Sequence, residues 1–389
     1  MPAESALKGA KGGGERRVKS ALREKPKSDS VLLLVTIILV VFGLITMFSA
    51  SFANAYYLHG DSYYYIGKQC LYAIIGLAAM WVISHINYRV LHRLALPLAI
   101  VSYILLAITL FMPPINGARR WIIIGGFTFQ PSEVVKFAVI CLFAHLASVK
   151  PEKMKGFKYG FLLPMGILLA IAAIMLQQTH LSGTILIFLV GVVLMFVGGT
   201  RPMWFGIAAA IVVPAGGAFL LLTDKMSYAL ERIEIWLNPY IDPLGGGHQI
   251  IQSLRAIGSG GLIGLGLGNS RQKHLYVPEP QNDFIFSIIC EELGYVGALF
   301  VIVLFLIFIF RGFAIALNAR DKFGALLAVG ITSQIGLQAL LNIAVVTGTV
   351  PNTGISLPFF SQGGTSLAML LAEVGVLLAI SRYSAMKKS

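Results

Sequence analysis

Charge is scarce in this sequence. Only 12% of the residues are Asp, Glu, Lys or Arg, against 57% that are hydrophobic. Soluble domains carry about a quarter charged residues, so a soluble globular enzyme is excluded. The apolar runs do not alternate with polar positions, which excludes the ~10-residue strands of a membrane β-barrel. Cysteine is nearly absent. Cys70, Cys141 and Cys290 lie in apolar stretches with no metal-ligand spacing, so they read as buried fillers rather than disulfide or zinc residues. Acids are scarcer than bases, 17 against 30, for a net charge of +13. That excess suggests nucleic acid at first sight. The bases, however, cluster in short loops and at both ends, where they report orientation and contact with anionic lipid; no nucleic-acid partner is expected. The glycine run 258–270 (GSGGLIGLGLGNS) lacks the Lys-Ser/Thr of a phosphate-binding loop and follows no strand, so nucleotide binding is not expected. A cleavable signal peptide is not expected either, because Val31–Phe52 is too long for a signal core.

What is present is a series of apolar stretches of about 20 residues, the length of a membrane-spanning helix. The fold class implied is an all-α polytopic membrane protein. Ten spans are expected, at 31–52, 67–85, 93–112, 132–148, 158–176, 183–199, 203–222, 284–310, 323–349 and 364–381. The Lys/Arg distribution favours both termini on the cytoplasmic side. Residues 1–30 read as a disordered basic cytoplasmic tail, 31–383 as one membrane domain, and 384–389 as a cytoplasmic tail. The only large hydrophilic insertion, 223–283, joins spans seven and eight on the extracytoplasmic side, and loops of that length are usually functional. Its glycine run suits a compact re-entrant or interfacial segment, where glycine permits unusual backbone angles and close packing.

Acids inside a membrane are costly and ask for a reason. Glu133, Glu291, Glu292 and Glu373 fall within expected spans, and Asp283 stands at the last polar position before one. Asp283 is the leading candidate for chemistry, against the plainer reading of a helix N-cap. Glu291 and Glu292, eight and nine positions on, read as interior hydrogen-bonding groups. Glu133 and Lys136 are three apart, share a helix face and can pair. Either they form a neutralised structural pair, or Lys136 with Arg119 or Arg120 holds anionic oxygens of a substrate head group. Gln334, Gln338 and Asn342 repeat at i, i+4, i+8 and form a polar stripe that must face protein or a wet cavity. The following segment, 347–366, is rich in turn residues and hydroxyls. Ser361 and Thr365 belong to it, either as parts of a tight turn or as groups at a cavity mouth that bind sugar hydroxyls.

The words NGARRWI, FQPSEVVKFA, the block from IIQSLRAIGSGG to PEPQNDFIFSIICEELG, and PNTGISLPFFSQGGTSL together resemble the SEDS family (shape, elongation, division, sporulation). The likeness spans residues 31–383, and its wording is nearest the cell-division branch, with elongation and sporulation next. Two departures stand out: Gln177–Thr184 has Gln and Thr in place of the usual Glu and Pro, and Gln362 stands where Tyr is common.

The resemblance implies a ten-helix peptidoglycan glycosyltransferase of the bacterial cytoplasmic membrane, acting at the outer face on lipid II. By motif position Asp283 matches the essential aspartate, and Glu133 with Lys136 the fourth-span pair. Arg119, Arg120, Glu133, Lys136, Gln338, Asn342, Ser361 and Thr365 are the expected substrate-binding residues. No organic cofactor is implied; a divalent cation is the one candidate, with no ligands identified. The partners implied are a class B penicillin-binding protein and other membrane proteins of the division machinery. The competing class is a lipid II flippase, since intramembrane charges and a polar stripe also suit a transport path; no inverted repeat or paired broken helices support it. A non-catalytic scaffold is the third.

Overall fold

The computed structural model describes residues 28–114, 117–124, 127–222, 233–274, 276 and 279–385. Helices dominate, because apolar segments in lipid must satisfy every backbone group internally. In chain order they are α1 (Ser30–His59), α2 (Tyr64–His85), α3 (Arg89–Ile108), α4 (Pro131–Val149), α5 (Leu163–Gln177), α6 (Leu181–Gly198), α7 (Pro202–Leu222), α8 (His248–Gly260), α9 (Ile285–Leu317), α10 (Lys322–Val346) and α11 (Gly364–Ala385). Among the described residues, nine helical segments are long and apolar enough to cross a membrane. The chain is therefore a multi-pass, all-α membrane protein. The expected seventh span is a helix of 21 residues, of which Pro202–Ile211 is the described apolar stretch. The expected basic tail lies outside the described residues up to 27, as does 223–232 of the long loop.

Helix ends follow local chemistry. The Asp29 carboxylate caps α1 by accepting from the Leu32 amide at 2.9 Å, and Gly60 ends that helix at φ 69°, seven residues beyond the expected span end at Phe52. Pro131 opens α4 at the first turn, where no amide hydrogen bond is lost. The sequence reading contained no strands, yet Ile122–Ile124 and Phe127–Phe129 pair as an antiparallel hairpin, β1 and β2, in register Ile122 to Phe129. β-branched and aromatic triplets flanking Gly125-Gly126 carry that signal.

The glycine run packs against α9 backbone to backbone. Beyond α8, the Leu265 and Gly266 amides donate to the carbonyls of Glu291 and Glu292 at 3.0 and 2.9 Å, and the Tyr295 amide donates to Gly261 at 2.9 Å. The helix breaks its dihedral pattern at Gly294, φ 66°. A Cβ on Gly264 would stand 2.2 Å from the Glu292 carbonyl oxygen, so only glycine permits the approach.

The two glutamates of α9 pin the same segment through their side chains. Glu291 accepts from the Ser270 hydroxyl and from the Arg271 amide at 2.9 Å. Glu292 accepts from Ser49 of α1 at 2.7 Å and from Lys273 at 3.0 Å, with both members of that ion pair buried. They therefore act as interior hydrogen-bonding groups. At the far end of α9, Asp321 pairs with Arg89 at 2.8 Å and accepts from the Tyr88 hydroxyl at 3.0 Å. That ionic cluster marks the end of the bundle opposite Asp283.

Candidate active site

The N-terminal ends of α4, α6, α9 and α11 converge on one cavity of about 330 Å³. Gln130, Ser132 and Glu133 come from the first, His180, Ser182 and Gly183 from the second, Asn282 and Asp283 from the third, and Gly364, Thr365 and Ser366 from the fourth. Helix N-termini present unpaired amides and partial positive charge, which favour anions. Arg120 of the segment before β1, Thr128 of β2, Gln338 of α10 and Gly354–Ser356 of the α10–α11 loop complete much of the wall.

Of the expected site residues, Asp283, Arg120, Glu133, Lys136, Gln338 and Thr365 line this cavity, and Arg119, Asn342 and Ser361 do not. Arg119 turns to the Leu110 carbonyl at 2.9 Å. The other two act one layer out, on the peptide that carries the aspartate. Asn342 Nδ2 donates to the Asp283 carbonyl at 2.7 Å and to Ile355 at 2.6 Å. The Ser361 hydroxyl donates to the Asn282 carbonyl at 2.6 Å. The Gln362 amide donates to the Gln281 carbonyl at 2.8 Å. Three consecutive carbonyls, 281–283, are thus each held by a different residue. The aspartate side chain emerges from a fixed backbone, and Gly354, φ 68°, leaves it room: a Cβ there would be 3.1 Å from Asp283 Oδ2.

Lys136 pairs with Glu133 at 2.8 Å, both buried. The Ser366 hydroxyl donates to the same glutamate at 2.9 Å, and Lys136 reaches Gln338 Oε1 at 3.5 Å. The two sequence readings of that pair are therefore compatible: it is a buried ion pair, and its ammonium faces the cavity. Burial pushes the Asp283 carboxyl up to about 6; nearby Glu279 adds to the rise and Arg120 opposes it. Burial also lowers the His180 imidazole to about 3, helped by Arg120 and Lys136, so the ring is neutral.

Sequence reasoning missed His180, Ser132 and Glu279. His180 Nδ1, Ser132 Oγ and Arg120 Nε are buried without a partner among the described residues, and all three residues line the cavity. The signal for His180 was present in the divergent 177–184 loop, whose Thr179 carbonyl accepts from Arg120 Nη2. Among the described residues no cluster of three or more His, Cys, Asp or Glu could hold a metal ion.

Chemically, the cavity offers one carboxylate poised near neutrality beside a wall of positive and hydrogen-donating groups. It can accept a proton from a neutral nucleophile while stabilising an anionic leaving group.

Over 93% of its length the chain is 42% identical to the stage V sporulation protein E of Bacillus subtilis, covering 99% of that protein. It is 40% identical to a probable peptidoglycan glycosyltransferase FtsW of Geobacter metallireducens, covering 93% of this chain and 97% of that one. Among solved structures, a chain of a peptidoglycan synthase complex that coordinates polymerization and crosslinking superposes with TM-score 0.75 at 28% identity, covering 92% of this chain and 98% of that one. The rod shape determining protein RodA of Thermus thermophilus superposes with TM-score 0.67 at 26% identity, over 91% and 97%. Residues 29–386 match the family described as cell cycle protein, that of FtsW, RodA and SpoVE, and the chain belongs to it.

Proposed function

We infer that this protein is a peptidoglycan glycosyltransferase that polymerises lipid II into glycan strands at the outer face of the bacterial cytoplasmic membrane. The observation that carries the reading is the cavity itself, with Asp283 on one side and Arg120 and Lys136 among the four helix ends.

An acceptor sugar 4-hydroxyl enters beside Asp283. The carboxylate takes the hydroxyl proton as the oxygen forms a bond to the anomeric carbon of the donor. The bond from that carbon to the diphosphate oxygen breaks, its electron pair leaves with the diphosphate, and the configuration inverts. Positive charge from Arg120 and Lys136 and the helix amides stabilise the departing anion. A leaving group this good needs no second carboxyl acid, which suits a site with one principal carboxylate rather than the hydrolase pair. A base of this kind contributes ~10²–10⁴ in rate. Were a divalent cation to bind, Asp283 and Glu279 of the cavity would hold it, and it would supply Lewis-acid stabilisation of the departing diphosphate.

The family likeness to a synthase complex supports a class B penicillin-binding protein as partner, and the resemblance to FtsW supports a place among division membrane proteins. The likeness to SpoVE favours sporulation as the alternative occasion for the same reaction. The test is lipid II polymerisation by purified protein with its transpeptidase partner, read as glycan polymer on a gel. Asp283→Asn should insert normally and give no polymer; retained polymer removes Asp283 from this role. Depletion that leaves vegetative cells dividing normally, yet blocks spores, would move the assignment from division to sporulation.

A further inference from the structure

Glu373 is an intramembrane acid that neither the proposed reaction nor the docking of the glycine run uses. It lies in the middle of α11 and is 1% exposed. Its hydrogen-bond donor is neutral: Gln334 Nε2 at 2.8 Å. Among the described residues no Lys, Arg or His forms an ion pair with it; the four ion pairs found involve other acids. An ionised carboxylate buried without a contacting cation is among the costliest arrangements a fold can hold. Beside it, Gln334 Oε1 is buried with no donor. A proton on Glu373 removes the charge and adds a donor next to an acceptor that lacks one.

The location gives that proton a consequence. Glu373 lines a second cavity, about 220 Å³, which reaches Ile86, Asn87 and Tyr88 of the α2–α3 turn. That turn is at the Asp321 end of the bundle, opposite the site. On its other side, Glu373 is the last group of a buried polar column. Gln334 and Gln338 are one turn apart on α10, Gln338 meets Lys136, and Lys136 meets Glu133 at the wall of the outer cavity. The charged groups acting on Glu373 are Lys136 and Glu133, both on α4. The Cys141 thiol of α4 feels it as well, and the Tyr88 phenol shares its cavity. From α10 it meets the uncharged Gln334.

We propose that Glu373 is a proton-binding site, and that its occupancy sets where Lys136 spends its charge. With the carboxyl neutral, Lys136 stays with Glu133 and faces the outer cavity. When the carboxyl gives its proton to water, two buried carboxylates compete for one ammonium, and Lys136 is drawn along the Gln338–Gln334 column away from the substrate. No bond other than the acid O–H changes. The proton-binding half stands on geometry alone; the Lys136 half rests on the function proposed above.

The two halves are read separately. Full-length protein in lipid vesicles is titrated by infrared difference spectroscopy. In an Asp283→Asn background, which removes the other raised carboxyl, a protonated-carboxyl C=O band should vanish on raising pH and be missing once Glu373→Gln is added. An Asp283→Asn spectrum without such a band, or a band that survives the added Glu373→Gln, overturns the proton site. If Glu373→Gln is not recovered in the membrane, Gln334→Met removes the donor to the acid and should shift the band; an unshifted band overturns the proposal equally. Polymerisation by protein with its partner should show an alkaline limb in wild type that Glu373→Gln abolishes. The same limb in both overturns the link to Lys136 and leaves Asp283's own role standing.

Discussion

At the scale of single residues, the cavity holds its aspartate at a cost. Burial and Glu279 raise Asp283 from 3.8 to about 6, so ionising it opposes folding, and the opposition grows as pH climbs from the ordinary carboxylate range through about 6. Near neutral pH the charged side chain destabilises the fold by up to about 3 kcal/mol. Asp283→Asn removes that charge. It should therefore raise thermal stability in detergent at pH 7.5 while abolishing polymer, and the gain should shrink at pH 5; a lowered melting temperature at pH 7.5 contradicts the raised carboxyl. For the wild type the base must be ionised, so the rate should fall below a limb near pH 6, measured as polymer formed against pH. Asn342 and Ser361 were expected from sequence to touch substrate. A polar stripe on a helix says that a face is wet or paired, not which, and here the Asn342 amide is spent on two carbonyls. Their substitution should act through the aspartate. Asn342→Ala should cut kcat by ~10-fold or more with a much smaller change in KM, because it frees the peptide rather than removing a substrate contact. Ser361→Thr, which keeps the hydroxyl, should retain most activity where Ser361→Ala does not.

At the scale of elements, α9 and the glycine-rich segment that follows α8 form one unit with two locks. The backbone lock needs glycine. Gly264→Ala places a Cβ 2.2 Å from the Glu292 carbonyl at φ +86°, so the loop must move, at a cost of roughly 3 kcal/mol or more. The ionic lock needs both partners. Lys273→Met leaves Glu292 buried without its cation and should destabilise by about 3–5 kcal/mol, whereas the double change Lys273→Met with Glu292→Met should recover much of it. Thermal inactivation of the purified variants checks both; equal loss in the single and double variants would mean the pair is not energetically coupled. The close packing of the glycine run was legible because glycine permits backbone approach and unusual angles. Its docking partner was not, because backbone contacts leave no trace in side-chain pattern. Apolar run length likewise located the spans, although α1 and α9 run seven residues past the expected ends, whereas the hairpin before α4 was hidden between two longer apolar runs. The site was partly legible: acids at a membrane border are rare enough to notice, and Asp283, Glu133 and Lys136 followed. His180 and Ser132 were not, since nothing distinguishes a neutral polar residue at a cavity wall from one in any helix cap until the four helix ends are seen to meet.

At the scale of the whole molecule, the convergence of α4, α6, α9 and α11 at one end of the bundle makes orientation decisive. All four helices point their positive ends at the same cavity, and the opposite end carries the Arg89–Asp321 pair and the exposed lysines of 150–155. Lysine and arginine are retained on the cytoplasmic side, which predicts the cavity end outside, as the polymerase reading requires. This is measurable without any enzymatic assay. With Cys70, Cys141 and Cys290 replaced by Ser or Ala, single cysteines can be set at Leu244, which is 89% exposed in the long loop, and at the exposed Lys153. A membrane-impermeant maleimide added to intact spheroplasts should label Leu244→Cys at once and Lys153→Cys only after permeabilisation. The reverse pattern would place Asp283 at the cytoplasmic face, where no outer-leaflet substrate could reach it, and the polymerase reading would fail along with the orientation.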